Sequence, residues 1–138
     1  MPKKLVSENN NFKCNILPHE REDILTAQDL EKHQKIGWEI TAFNLPNAWK
    51  YSRGEGVKIA VIDSGCDLTH EDLAENLLPG KNFVDPKKPP IDDYGHGTHV
   101  TGILCALDND VGMVGVAPQC KVIPVKVLNN KGSGDMRK

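Results

Sequence analysis

No run of apolar residues in this 138-residue sequence is long enough to cross a bilayer, so no membrane partner is expected. Charge of one sign is lacking too. Seventeen Lys and Arg stand against nineteen Asp and Glu, a net charge of -2, which supplies no field for nucleic acid or an anionic lipid surface. The first residues, MPKKLVSENNNFKCN, contain neither an apolar core segment nor a small-residue cleavage site, which argues against a secretory signal. The four cysteines, Cys14, Cys66, Cys105 and Cys120, form no C-x-x-C pair. They read as reduced thiols of a cytoplasmic protein rather than as a disulfide framework. What remains is an ordinary soluble composition, 38% hydrophobic, with room for one modest domain and a real core.

Against that background one stretch carries chemistry: Asp93-Tyr94-Gly95-His96-Gly97-Thr98-His99-Val100-Thr101-Gly102. Gly95 and Gly97 strip side-chain bulk from both sides of His96, while Val100, Ile103, Leu104 and Leu107 recur at helical spacing. The pattern predicts a helix with His96 at its N-terminus. A second stretch, Val57 to Ile62, is mostly apolar and stops at Asp63 and a small-residue turn. It predicts a strand buried on both faces of a parallel sheet. In open α/β sheets ligands bind at the C-terminal edge of the strands, where Asp63 and a histidine on a following helix can meet. The order Asp then His matches the first two members of a Ser-His-Asp relay. His96 and His99 as paired metal ligands are an alternative, weakened because the sequence contains no H-E-x-x-H or similar third-ligand pattern.

VIDSG around Asp63, DYGHGTHVTG around His96, VGVAP at Val114 to Pro118 and VKVLNNKGSG at Val125 to Gly134 stand in one order and together resemble the N-terminal part of a subtilisin-family (subtilase) serine peptidase, most like the intracellular ones. The resemblance implies an α/β fold, a partial subtilisin-like parallel sheet flanked by helices, ending before the serine-bearing helix. It implies polypeptide substrates, with Asp63 orienting the imidazole of His96, the general base and then acid. It also places Gly132, Ser133 and Gly134 along the substrate groove, where an extended peptide adds a strand. The loop from Leu107 to Gly115 resembles the one in which subtilisins hold calcium; carried over, the ligands are the side chains of Gln34, Asp72 and Asn109 and the carbonyls of Leu107, Val111 and Met113. The alternative for this loop is a polar turn that binds nothing.

The resemblance divides the chain into an extension, residues 1–36, and the first part of a peptidase domain, residues 37–138. Within the extension, residues 20–36 predict a helix, with Thr26 and Asp29 as possible starts. Ile16-Leu17-Pro18-His19 is similar to the apolar-apolar-Pro-aromatic motif with which intracellular subtilisins hold themselves inactive, His19 replacing the aromatic. An inhibitory pro-segment and a plain surface lead-in are both open. Trp38 and Trp49 are expected to be packing anchors, His70 a structural histidine, Asp92 and Asp93 helix-dipole carboxylates, and Cys66 a small buried residue. Pro124 inside the strand from Lys121 to Leu128 suggests an edge or a bend.

Nothing in these 138 residues resembles the family's G-T-S-x nucleophile segment or its oxyanion-hole asparagine, and Ser64 and Ser133 are not placed to be activated by His96. The expectation is therefore that the chain alone is inactive as a peptidase. Part of a doubly wound domain also leaves apolar faces bare, which favours aggregation. A non-catalytic remnant that binds peptides or another subtilase is the reading from a different class.

Overall fold

The computed structural model describes residues 13–15, 34–135 and 137. Among these residues five strands and three α-helices follow in the order β1 (Lys13–Asn15), α1 (Trp38–Ala42), α2 (Leu45–Ala48), β2 (Lys58–Asp63), β3 (Lys81–Asn82), α3 (His96–Cys105), β4 (Lys121–Lys126) and β5 (Ser133–Asp135). A 3₁₀ turn at Ala74–Asn76 precedes β3. The main sheet is parallel, in the order β2-β4-β3, and β1 pairs antiparallel with β5. This is the α/β class the sequence implies.

α3 lies on one face of that sheet. Val61 of β2, Val122 of β4, Cys105 of α3 and Cys120 form one buried cluster, and Ile59, Val100 and Leu104 pack against it. Cys66, Leu73 and Ala106 form a second, and Leu77 touches both. The opposite face is open among the described residues, with Ile62 67% exposed, so β2 is not the doubly buried strand its apolar run predicts. An apolar run fixes what a strand is able to bury, but neighbours decide what it does bury.

Helical spacing picks out Val100 and Leu104, which pack on the core, but misses the closest contacts of α3. Its fully buried positions are Gly97, Thr101 and Cys105, spaced by four, whereas Ile103 is exposed. Small side chains bring the helix close enough for its backbone to meet the turn after β2. A Cβ on Gly97 would overlap the carbonyl oxygen of Gly65. Gly95 is required for a different reason, since it caps the helix with φ of 104° and has open space around it.

Pro124 sits in the central strand, not at an edge, with Val61 as its register partner on β2. In β4 the N–H of Lys121 goes to Val57 on the β2 side, while the carbonyls of Val122 and Lys126 accept from Leu78 and Phe83 on the β3 side. By this alternation the missing N–H of Pro124 faces β3, which begins only at Lys81, so no strand-to-strand bond is lost. Trp49 is the anchor the sequence predicts: its indole N–H donates to the Val116 carbonyl at 2.8 Å and Arg53 stacks on its ring. Trp38 is not. It is 77% exposed, because Ile40 is the buried position of the short helix α1 and a residue two places away points about 200° around the axis. The expected helix over residues 20–36 lies mostly outside the described residues, and its last three are not helical, since Lys35 bridges Met113.

Gly97→Ala is expected to cost about 1–3 kcal/mol through overpacking against Gly65. Gly102→Ala, where an added Cβ meets nothing within 4 Å, is expected to gain up to about 1 kcal/mol from helix propensity. Urea unfolding of both variants checks this, and equal midpoints would contradict the close approach of α3 to Gly65.

Candidate active site

β2 ends at Asp63, and the carbonyl of that residue accepts the N–H groups of Val127 and Leu128, which pins the strand end to the chain leaving β4. The side chain is buried at the C-terminal edge of the sheet, where the family resemblance and the general rule for α/β sheets both put chemistry. His96 is the first residue of α3. Its Nδ1 lies 2.8 Å from Oδ2 and 3.0 Å from Oδ1 of Asp63. An ionised carboxylate only accepts, so Nδ1 carries the proton and Nε2 is the basic nitrogen of the neutral ring. The imidazole is 28% exposed and the carboxylate 13%, so the base reaches the surface while its orienting partner is largely screened from water.

Ser64 holds this pair in register. Its N–H donates to Asp63 Oδ1 at 2.7 Å, its hydroxyl donates to Asp92 Oδ1 at 2.8 Å, and the same oxygen accepts the N–H of Gly97 at 2.9 Å. One residue, through its backbone N–H and its hydroxyl, therefore ties the strand end, the loop before α3 and the helix itself. Its hydroxyl is committed to these bonds.

Asp92 does more than favour a helix dipole. Besides Ser64 it accepts the N–H groups of Tyr94, Gly95 and Thr98 and the Thr98 hydroxyl, so it caps α3 in place of Gly95, which has no side chain. Burial pushes the Asp92 carboxyl up, but the donors from Gly95, Thr98 and Tyr94 together outweigh it and hold the group below the usual carboxylate range. Asp93 pairs with Lys126, whose Nζ lies 2.7 Å from its Oδ1. Sequence reasoning passed over Lys126. The available signal was period two: Val122, Pro124 and Lys126 share the buried phase of β4.

His99 faces other surroundings. It borders a cavity of about 720 Å³ together with His70, Asp72 and Met113, a space that excludes Asp63 and His96, so the two histidines of the motif serve different places. His70 is structural as expected, its Nδ1 accepting the N–H of Asp72. Among the described residues no three His, Cys, Asp or Glu side chains gather as metal ligands. Cys66 is fully buried, and burial pushes its thiol up to about 11, so it is no ready thiolate.

Five of the six residues carried over for calcium make contacts among themselves. Gln34 donates to the carbonyl of Leu107 at 2.8 Å and approaches that of Val111 at 3.5 Å. Asn109 donates to Asp72 Oδ1 at 2.7 Å. Lys35 pairs with Met113 and donates to the Gly112 carbonyl. A buried carboxylate, two amide side chains and several carbonyls thus lie in this region, and oxygen-bearing groups are what a hard cation takes. Of the substrate-strand residues, Gly132 closes a turn to Asn129 with its ring neighbour Tyr94 alongside, and Ser133 and Gly134 lie in β5, already paired with Asn15 and Cys14 of β1.

The pattern of the subtilase family matches residues 54–138, and the chain belongs to that family. It is 42% identical over 118 residues to an intracellular serine protease of Paenibacillus polymyxa, covering 80% of this chain and 36% of that protein. It is 38% identical over 131 residues to the major intracellular serine protease of Bacillus subtilis (strain 168), covering 90% of this chain and 39% of that protein. Thermitase of Thermoactinomyces vulgaris is 43% identical over 90 residues, covering 64% of this chain and 32% of that protein. The chain thus spans between 32% and 39% of the length of these relatives.

The depressed pKa of Asp92 has a defined sign. Its contribution to stability is complete above the ordinary carboxylate pKa and is lost as pH falls through the lower, folded-state value. Wild type is therefore expected to unfold at higher urea than Asp92→Asn at neutral pH, with the gap closing in acid. A gap that persists unchanged into strong acid would mean the charge of Asp92 is not what caps α3.

Proposed function

We propose that the whole protein to which this chain belongs is a serine endopeptidase of the subtilase type, and the hydrogen bond between Asp63 and His96 is the observation that carries the reading. Asp63 holds the imidazole in the tautomer whose Nε2 accepts a proton, and stabilises the imidazolium that results. His96 then returns that proton to the leaving amine. The attacking serine and the oxyanion-hole donors come from outside these 138 residues, so the chain by itself is inactive. The relatives named as intracellular proteases support a cytoplasmic setting.

Substrate is a polypeptide laid as an antiparallel strand on the Gly132 to Gly134 segment, the backbone supplying affinity. Pairing of Lys13–Asn15 with Ser133–Asp135 supports a second element of the proposal, that residues 1–36 are an inhibitory extension occupying the substrate's own edge. The motif from Ile16 to His19 lies outside the described residues.

Turnover of a chromogenic peptide by the intact protein tests both elements. Removal of residues 1–15 is expected to raise the rate, and His96→Ala to lower kcat by about 10⁴-fold or more. Absence of turnover with residues 1–15 removed would overturn the peptidase reading, and turnover indifferent to that removal would overturn the inhibitory one.

The contacts of Gln34 with the carbonyls of Leu107 and Val111, and of Asn109 with Asp72, support a structural calcium site in the same protein, with the Met113 carbonyl as its remaining ligand. When bound, the ion would tie residue 34 to the 107–113 loop without entering the reaction. EDTA is expected to lower the thermal midpoint of the intact protein, with calcium restoring it and magnesium not. A midpoint insensitive to chelator would remove the site.

A further inference from the structure

Lys126 is the register partner of Asp63 across the β2–β4 pair, and its side chain is only 5% exposed. A buried ammonium is costly unless its hydrogen bonds are met by well-placed acceptors, so where those acceptors lie is informative. Lys126 Nζ donates to the carbonyl of Ser64 at 2.7 Å and to Asp93 Oδ1 at 2.7 Å. The first acceptor belongs to the residue directly after Asp63. The second is three residues before His96. A single cation thus joins the two loops from which the Asp63–His96 pair is built.

The junction needs such a strut. Between Asp93 and His96 the chain passes through Gly95, at φ of 104° with open space around it, where nothing steric holds the backbone. Asp92 anchors the chain just before this glycine, and Ser64 is held on its N–H and hydroxyl sides by Asp63, Asp92 and Gly97. Lys126 supplies the hold on the carbonyl side of Ser64 and extends it to Asp93. Both bonds are charge-assisted, which makes them stronger than neutral ones.

We propose that Lys126 is a positioning residue for the proposed reaction, bridging the Ser64 carbonyl and Asp93 so that Asp63 and His96 stay in register. It touches neither substrate nor the reacting atoms and acts through Asp63 and His96. The inference rests on the peptidase reading for its kinetic consequence but not for its structural one.

The test compares wild type, Lys126→Met, Asp93→Asn and the double variant of the intact protein by steady-state kinetics and by the proton resonance of the His96 Nδ1–H. Misplacement on the scale of 1 Å costs about 10²-fold in rate, so each single variant is expected to lower kcat toward that extent with KM nearly unchanged. The His96 proton is expected to move upfield or broaden. The double variant is expected to fall short of the summed effects, because both substitutions break one bridge. A role confined to stability would reduce the folded fraction and leave the His96 proton of the folded molecules where it was. That outcome, or additive effects, overturns the proposal. If Lys126→Met does not fold, Asp93→Asn decides alone, because the Asp93 side chain is 55% exposed and its loss spares the core. If wild type itself turns over no peptide, the peptidase reading fails while the His96 resonance still decides the bridge.

Discussion

The backbone of α3 rests on the backbone of the turn after β2, Gly97 against Gly65, and the rest of the site depends on that approach. A side chain at Gly97 would push the helix away from the strand end, and one at Gly65 would meet the Pro90 carbonyl instead. With both absent, the N–H of Gly97 reaches the Ser64 hydroxyl, and His96, one residue earlier, comes within hydrogen-bond distance of Asp63. The contact is steric before it is electrostatic. The polar bonds then fix a geometry that the small residues make possible.

Around this contact the protein spends polar groups rather than apolar ones. Ser64, Asp92, Asp93 and Lys126 lie beside the Asp63–His96 pair and bond to one another. The hydrophobic clusters sit farther along α3 and the strands, at Cys105, Val122 and Leu73, and supply the platform. This division, an apolar base under a polar rim, keeps the base on the rim accessible while its partners are held by directional bonds. Beyond the rim, β5 carries the first chain segment on its edge, and the 107–113 loop folds toward Gln34.

Asp63 and His96 were legible in the sequence because each lies in a local pattern whose meaning does not depend on distant residues: an apolar run stopped by a carboxylate, and a histidine between glycines. Lys126 was not, because its function is set by two acceptors 62 and 33 residues away. Asp92 was read as a helix-dipole residue, which is right in kind but misses the bonds that make it the cap. Trp38, Ile62 and Pro124 were misjudged for one shared reason. Hydrophobicity and proline content state what a residue tolerates, whereas burial and strand order are decided by which neighbours arrive, and for Ile62 none does among the described residues.

The account turns on His96 and Asp63 acting together on a serine that these residues do not contain. Treating the intact protein with a serine-directed fluorophosphonate and locating the adduct by mass spectrometry tests this most directly, with Asp63→Asn as comparison. The account predicts one modified serine outside residues 1–138, with labelling slowed by orders of magnitude in Asp63→Asn. An adduct on Ser64 or Ser133, or labelling indifferent to Asp63, would contradict it.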